Sequence, residues 1–305
     1  MDVDVDIPTF LREARNAAPD SLQWSILQME DLWERRLWHQ LTLELEQFFV
    51  NPQSTGSRMR MFKEFVCSFE KNINQQKLVG LALLAKQECK GRCPTIQLRK
   101  ELTRMADTNE ALEFVNGIAE KVNTTATQDA YVYALIEMAN LKLLLGNGET
   151  VRKDLDAANK ILDNFESIDN VIHAAFYRVN ADYFSVHPPH LLLWTYSDIS
   201  QSKLDYANYY RNALLFLACL PKPSPLTKEE AQTRAYNLSI AALLGEKIYN
   251  FGEFLLHPIF NELQGNDNGW LRDLLFAMNS GDLTAFTKLK PHLRSIVPSS
   301  YPHLY

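Results

Sequence analysis

Glycine is scarce in this chain, 11 residues in 305, and cysteine scarcer, with four. There is no GxxxxGK[ST] loop, no GxGxxG, no HExxH and no GxSxG. The usual physical solutions for holding nucleotide phosphates, activating zinc-bound water or forming an acyl-enzyme are therefore missing. Cys67, Cys89, Cys93 and Cys219 fit thiols of a reducing compartment. Cys89 and Cys93 have three residues between them rather than two, and no second Cys/His pair follows at zinc-finger spacing. No metal and no cofactor is expected. Positive charge is short as well. Lys and Arg number 31 against 37 Asp and Glu, a formal net charge of -6, without the clustered basic surface that grips a phosphate backbone. No nucleic acid partner is expected. No apolar run approaches the ~18 residues of a membrane span, and the start, MDVDVDIPTF, is acidic where a targeting peptide is basic. The expectation is a cytoplasmic and nuclear protein with no membrane partner, in which the sequons at Asn123 and Asn237 never meet a glycosyltransferase.

What is present is material for a core. Hydrophobic residues make up 46% of the chain and charged residues 22%. Their spacing is helical almost throughout, with little period-two alternation. Pro8 suits the first turn of a helix to about Ala18, and Ser21 suits the cap of the next, whose apolar residues Leu22, Ile26, Met29 and Trp33 recur at three- and four-residue steps. A turn at Arg35-Arg36 leads to a helix over Leu37–Phe49 that Asn51-Pro52 ends. Further helices are expected over 58–71, 75–88, 109–122, 127–145, 149–165 and 170–184. Over 203–220, Tyr206, Tyr210, Ala213, Leu214 and Leu217 share one stripe. Thr227 and Glu230 have capping-box spacing ahead of a helix to Leu244. Trp270, Leu271, Leu274, Leu275 and Met278 face inward in a helix over 267–278, with Trp270 expected to be largely buried, and a last helix covers 282–289. Helices of this length joined by short polar turns are what stacked helical hairpins produce, here without a strict repeat period.

The stretch IYNFGEFLLHPIF, Ile248–Phe260, brings Gly, Glu and His together as a catalytic loop would. Each has a backbone reason instead. Gly245 ends a helix, a short turn runs over 246–250 to Asn250, and Gly252 is expected at a φ that other residues resist. Glu253 suits the positive end of a short segment that follows. His257 before Pro258 is biased to extended backbone, with Pro258 opening the next helical turn. Phe251, Phe254, Leu255 and Ile259 hold the bend, so the stretch reads as a structural joint. His187-Pro188-Pro189-His190 cannot aim two imidazoles together, because consecutive prolines forbid the helix that would do so. Glu137 and Glu246 read as rim residues or caps, and Tyr206, Tyr209, Tyr210 and Phe216 as core rather than a base-stacking platform. No catalytic residue is expected.

The blocks LLGEKIYNFGEFLLHPIFNEL and NGWLRDLLFAMNSGDLTAF, with RLWHQLTL from Arg36 and YANYYRNALLFLACL from Tyr206, occur here in order. They closely resemble the family of PCI-containing lid subunits of the 26S proteasome regulatory particle that stands ninth in the yeast-style non-ATPase series, over about Ile7 to Leu289. The resemblance implies an all-α fold: an irregular solenoid of stacked helical hairpins leading into the helical part of a PCI module. It implies a non-catalytic scaffold whose partners are other lid subunits, PCI neighbours among them, and a neighbouring ubiquitin-receptor subunit. Residues 1–202 would be the helical-repeat region, 203–290 the helical part of the PCI module and 291–305 an irregular tail. The family pattern continues through a winged helix and a terminal helix, and none is expected here, as in a gene model truncated at Tyr305. Residues 187–201, HPPHLLLWTYSDISQ, interrupt the pattern and are expected to be an excursion from the helical stack, such as translated intron. Two other readings stay open: a PCI subunit of the signalosome or of a translation initiation factor complex, and a hydrolase using Glu253 and His257.

Overall fold

The structure, a computed structural model, describes residues 6–86, 97–165, 167–184, 206–221, 226–245, 248, 251–264 and 268–294. The interruption at 187–201 lies outside them, as do Cys89, Cys93, Glu246, Asn250 and residues 295–305. Among the described residues every regular element is a helix, so the fold is all-α. The chain divides into two compact units, Met1–Ser167 and Ile168–Tyr305.

The first unit holds α1 (Ile7–Ala17), α2 (Asp20–Glu34), α3 (Trp38–Val50), α4 (Arg58–Glu64), α5 (Gln75–Lys86), α6 (Gln97–Val122), α7 (Gln128–Leu144) and α8 (Gly148–Leu162). Each packs on its neighbours in sequence: α1 on α2, α2 on α3, α3 and α4 on α5, α5 on α6 and α7, and α7 on α6 and α8. The short connections make these hairpins. Leu22, Ile26 and Met29 of α2 are buried as their spacing predicts, against a core that includes Leu41, Leu45, Phe48 and Phe49 of α3.

Two of the reversals share one hydrogen-bond pattern. After α7, Asn147 N–H donates to Lys142 C=O at 3.1 Å and Gly146 N–H to Leu143 C=O at 3.0 Å, with Gly146 at φ 81°. This pair satisfies carbonyls that a helix end leaves open and needs one left-handed residue. After α2, Leu37 N–H donates to Leu32 C=O at 2.9 Å and Arg36 N–H to Trp33 C=O at 3.0 Å. Here the left-handed position is Arg36, at φ 58°, where a Cβ is strained. After α3, buried Arg58 donates from Nε to Ser54 Oγ at 2.8 Å and from Nη2 to Asn51 C=O at 2.7 Å, which ties down the 3-10 turn Pro52–Ser54.

Several expected boundaries move. Asp20 rather than Ser21 opens α2, and the Ser21 hydroxyl donates instead to the Gln53 side chain. The helix expected over 58–71 splits: α4 stops at Glu64, and a 3-10 helix covers Val66–Asn72 with Phe69 non-helical at φ -126° and ψ 24°. At the break Phe69 stacks on Trp38 at 5.4 Å and meets Phe65 edge-on at 5.2 Å. On α7, Glu137 is not at a rim but buried, with Asn140 Nδ2 donating to its Oε2 at 3.2 Å.

The second unit holds α9 (Asn170–Tyr183), α10 (Tyr206–Cys219), α11 (Lys228–Leu244), α12 (Gly252–Leu256), α13 (Gly269–Ser280) and α14 (Leu283–Arg294), with a 3-10 helix over Pro258–Leu263. α10 packs on α9 and α11, and α11 on α13 and the 3-10 helix. The capping box forms as spaced: Thr227 Oγ1 accepts from Glu230 N–H at 3.3 Å and Glu230 Oε2 from Thr227 N–H at 3.1 Å. Arg234 on α11 pairs with Asp182 of α9 at 3.6 Å and lies 4.7 Å over the Phe216 ring of α10. Asp282 caps α14. Hydrogen bonds from the Thr284 hydroxyl and from the backbone of Ala285 and Thr284 hold its carboxyl below the ordinary aspartate range. α14 runs past Pro291 to Arg294, into the stretch expected to be irregular. The proline removes one helical hydrogen bond, while His292 on that last turn stacks on Trp270 at 5.7 Å.

Replacing the strained Arg36 tests the reversal after α2. Arg36→Gly is expected to raise unfolding free energy by roughly 0.5–1 kcal/mol, the left-handed strain relieved less the added backbone entropy of glycine. Urea denaturation measures it, and a loss of stability would contradict the geometry described.

Candidate functional site at the joint after α11

The C-terminal half of α11 is buried all round: Ala235 and every residue from Leu238 to Leu244. Small residues on several faces let neighbours close on it from each side. Its last N–H to carbonyl bond, Gly245 to Ala241 at 2.8 Å, ends the helix with Gly245 in extended backbone, φ -68° and ψ 125°. The glycine is required by space rather than by φ. A Cβ built there would lie 2.7 Å from Ala241 C=O and collide with the Ile248 side chain.

Beyond the turn, Phe251 is buried and precedes α12. Gly252 is the first residue of that helix, in right-handed helical conformation, so the unusual φ expected of it is not found. A glycine fits a helix start without needing its conformational freedom. Glu253 is exposed in the first turn, at the positive end of the short helix. α12 closes at His257, extended at φ -74° and ψ 137°, and Pro258 opens the 3-10 turn as its fixed φ suits. His257 Nδ1 accepts from Ile259 N–H at 3.2 Å, so the imidazole caps the turn. A neutral ring whose Nδ1 accepts carries its proton on Nε2.

An edge-to-face chain of rings fixes the bend. Tyr210 meets Phe254 at 6.3 Å, Phe254 meets Phe260 at 5.0 Å and Phe260 meets Phe276 at 5.5 Å. The Arg272 guanidinium lies 5.3 Å from the Phe276 centroid, and the Gln264 amide, with its oxygen turned toward Arg272, accepts from Nη2 at 3.1 Å. Sequence reasoning did not single out Arg272 or Gln264. Their signal, two polar residues eight positions apart across a polar connection, is not periodic.

The stripe residues converge on the same core. Tyr206, Tyr210, Leu217 and Leu274 are buried, and Leu214 is half-buried. Trp270 is partly buried, packed against this core with His292 stacked on it. The Tyr210 hydroxyl is buried with no hydrogen-bond partner. Burial first, then the nearby Glu253 carboxylate, push its phenol up to about 12. Tyr209, also buried, is pushed to about 12. Among the described residues no three His, Cys, Asp or Glu lie together as metal ligands would, and no helix is long and apolar enough to cross a membrane.

Residues 25–275 match the family described as PSD13 N-terminal repeats. The chain is similar to the probable 26S proteasome regulatory subunit rpn9 of Schizosaccharomyces pombe, 38% identical over 94% of this chain and 66% of that protein. It is similar to the 26S proteasome regulatory subunit RPN9 of Saccharomyces cerevisiae, 32% identical over 93% of this chain and 67% of that one. The 26S proteasome non-ATPase regulatory subunit 13 of Dictyostelium discoideum is 29% identical over 94% of this chain and 66% of its own length. The chain thus spans about 66% of the length of the first of these relatives.

Two substitutions test the joint. Gly245→Ala is expected to cost about 1–3 kcal/mol, because the Ala241 carbonyl as well as the Ile248 side chain opposes the new methyl; thermal unfolding measures it, and an unchanged melting temperature would contradict the contact. Tyr210→Phe removes an unpaired hydroxyl, so at neutral pH its effect is expected to stay within about 1 kcal/mol. The wild-type phenol, at 10 unfolded and about 12 folded, contributes stability that is full below pH 10 and lost as pH rises through about 12. Tyr210→Phe therefore loses less stability across that window, as urea unfolding at the two ends would read.

Proposed function

The chain belongs to the family of PSD13 N-terminal repeats, and on that premise we propose that it is a non-catalytic scaffold subunit of the proteasome regulatory-particle lid, supporting lid assembly and ubiquitin-dependent protein degradation. One observation carries the reading: a collinear match to proteasome regulatory subunits over 94% of the chain. The joint agrees with it. Gly245, Phe251, Gly252, His257 and Pro258 are each used to turn and cap the backbone, and Glu253 stands exposed at the start of α12. In this reading residues 1–202 supply helical repeats and 203–290 the helical part of a PCI module. The partners are other lid subunits, PCI neighbours among them, together with a neighbouring ubiquitin-receptor subunit. The setting is cytoplasmic and nuclear.

Affinity purification of the tagged chain from cells, with mass spectrometry of what accompanies it, tests the assignment. Lid subunits are expected in near-stoichiometric amounts. Recovery of signalosome or initiation-factor subunits, or of no PCI protein, would overturn it, and loss of cellular function in Glu253→Gln would reopen a hydrolase.

A further inference from the structure

α2 and α3 of the first unit each carry a second stripe that points away from the core. On α2, Trp24 is 66% exposed and Leu27 40%, on the side opposite the buried Leu22, Ile26 and Met29. On α3, Leu43 is 45% exposed, while Leu41 and Leu45 on either side of it are buried. The two outward faces wall a groove of about 930 Å³ that runs from Trp24 to Arg35 along one side and from Gln40 to Gln47 along the other. At a rise of about 1.5 Å per residue, its α2 wall extends roughly 16 Å, three turns of a docked helix.

The charges along the groove are uneven. Arg15 is paired with Glu30 at 3.4 Å and Arg35 with Asp31 at 2.9 Å, so both cations that line it are already neutralised. Glu34 and Glu44, which also line it, have no ion-pair partner among the described residues, and Glu44 is half-buried. A carboxylate partly withdrawn from water beside leucine and tryptophan surface lacks the cation that would compensate it. We propose that this groove docks an amphipathic helical segment of a partner protein, with apolar residues at helical spacing and Lys or Arg bordering that stripe. The apolar stripe would cover Trp24, Leu27 and Leu43, in the way amphipathic helices lie in hydrophobic grooves. The basic border would meet Glu34 and Glu44. A second copy of this chain is disfavoured as occupant, since a two-fold contact through this face would set its carboxylates against themselves. The inference concerns a surface remote in sequence from the joint and does not depend on the lid assignment.

The test uses the purified full chain and two labelled synthetic helices of about 18 residues, identical in their leucine stripe and differing only in having Lys or Glu along its borders. Fluorescence anisotropy is expected to show the basic peptide binding at least about tenfold tighter than the acidic one, with the difference shrinking at high salt. Trp24→Ala and Glu44→Lys should each weaken the basic peptide by about tenfold or more, and Glu44→Lys should also reduce the preference for it. Both positions are on the surface side of the hairpin, and an unchanged circular dichroism spectrum and melting temperature separate lost docking from lost folding. Equal affinity for the two peptides, no binding up to millimolar concentration, insensitivity to both substitutions, or a Trp24-dependent dimer in sedimentation would each overturn the proposal. None of those outcomes bears on what co-purifies with the chain in cells.

Discussion

The second unit depends on one constraint: the C-terminal half of α11 has no face left for water. From Leu238 to Leu244 every side chain is buried, including Ser239, whose hydroxyl donates to Ala235 C=O at 2.8 Å instead of to solvent. A helix covered on all sides must be approached by several others, and the alanines at 235, 241 and 242 leave the space for α10, α13 and the Pro258–Leu263 turn to reach it. The same crowding leaves no room for a side chain where the helix ends, which is why Gly245 is there. Each backbone feature of the joint follows from bringing the chain out of that crowded position and back onto the same core through Phe254 and Phe260.

Residues that resemble catalytic machinery are thereby accounted for. A histidine that accepts a backbone hydrogen bond and a glutamate at a helix start are both parts of turns. The pair sits close in sequence because short helical segments need caps at short intervals, and polar capping residues crowd wherever the chain reverses quickly.

Much of this was legible beforehand, and the failures are informative. The Thr227 and Glu230 box and the Tyr206, Tyr210 and Leu217 stripe were readable because they rest on local spacing, which the folded chain had no reason to override. The break between α4 and the 3-10 helix was not, because residues 58–71 carry a helical pattern and the stacking of Phe69 on Trp38 at the break is a tertiary contact that local spacing does not show. Glu137 reads as a rim residue because a charged residue on an apolar helix looks like one until a neighbour such as Asn140 lets it be buried. Gly252 drew attention as a glycine in a bend, where the sterically demanding position was Gly245.

The reversal at Gly146 has a kinetic side. Its two hydrogen bonds join residues within a single turn of one another, and α7 and α8 then pack on each other along their length. Contacts this near in sequence cost little loop-closure entropy, and chains rich in them fold fast. The α7–α8 hairpin can therefore close as soon as Leu162 has cleared the ribosome, offering its remaining apolar face as a template for whichever helix is free to pair with it. Early closure of such a reversal covers apolar surface on both of its helices during synthesis, which limits the opportunity for aggregation.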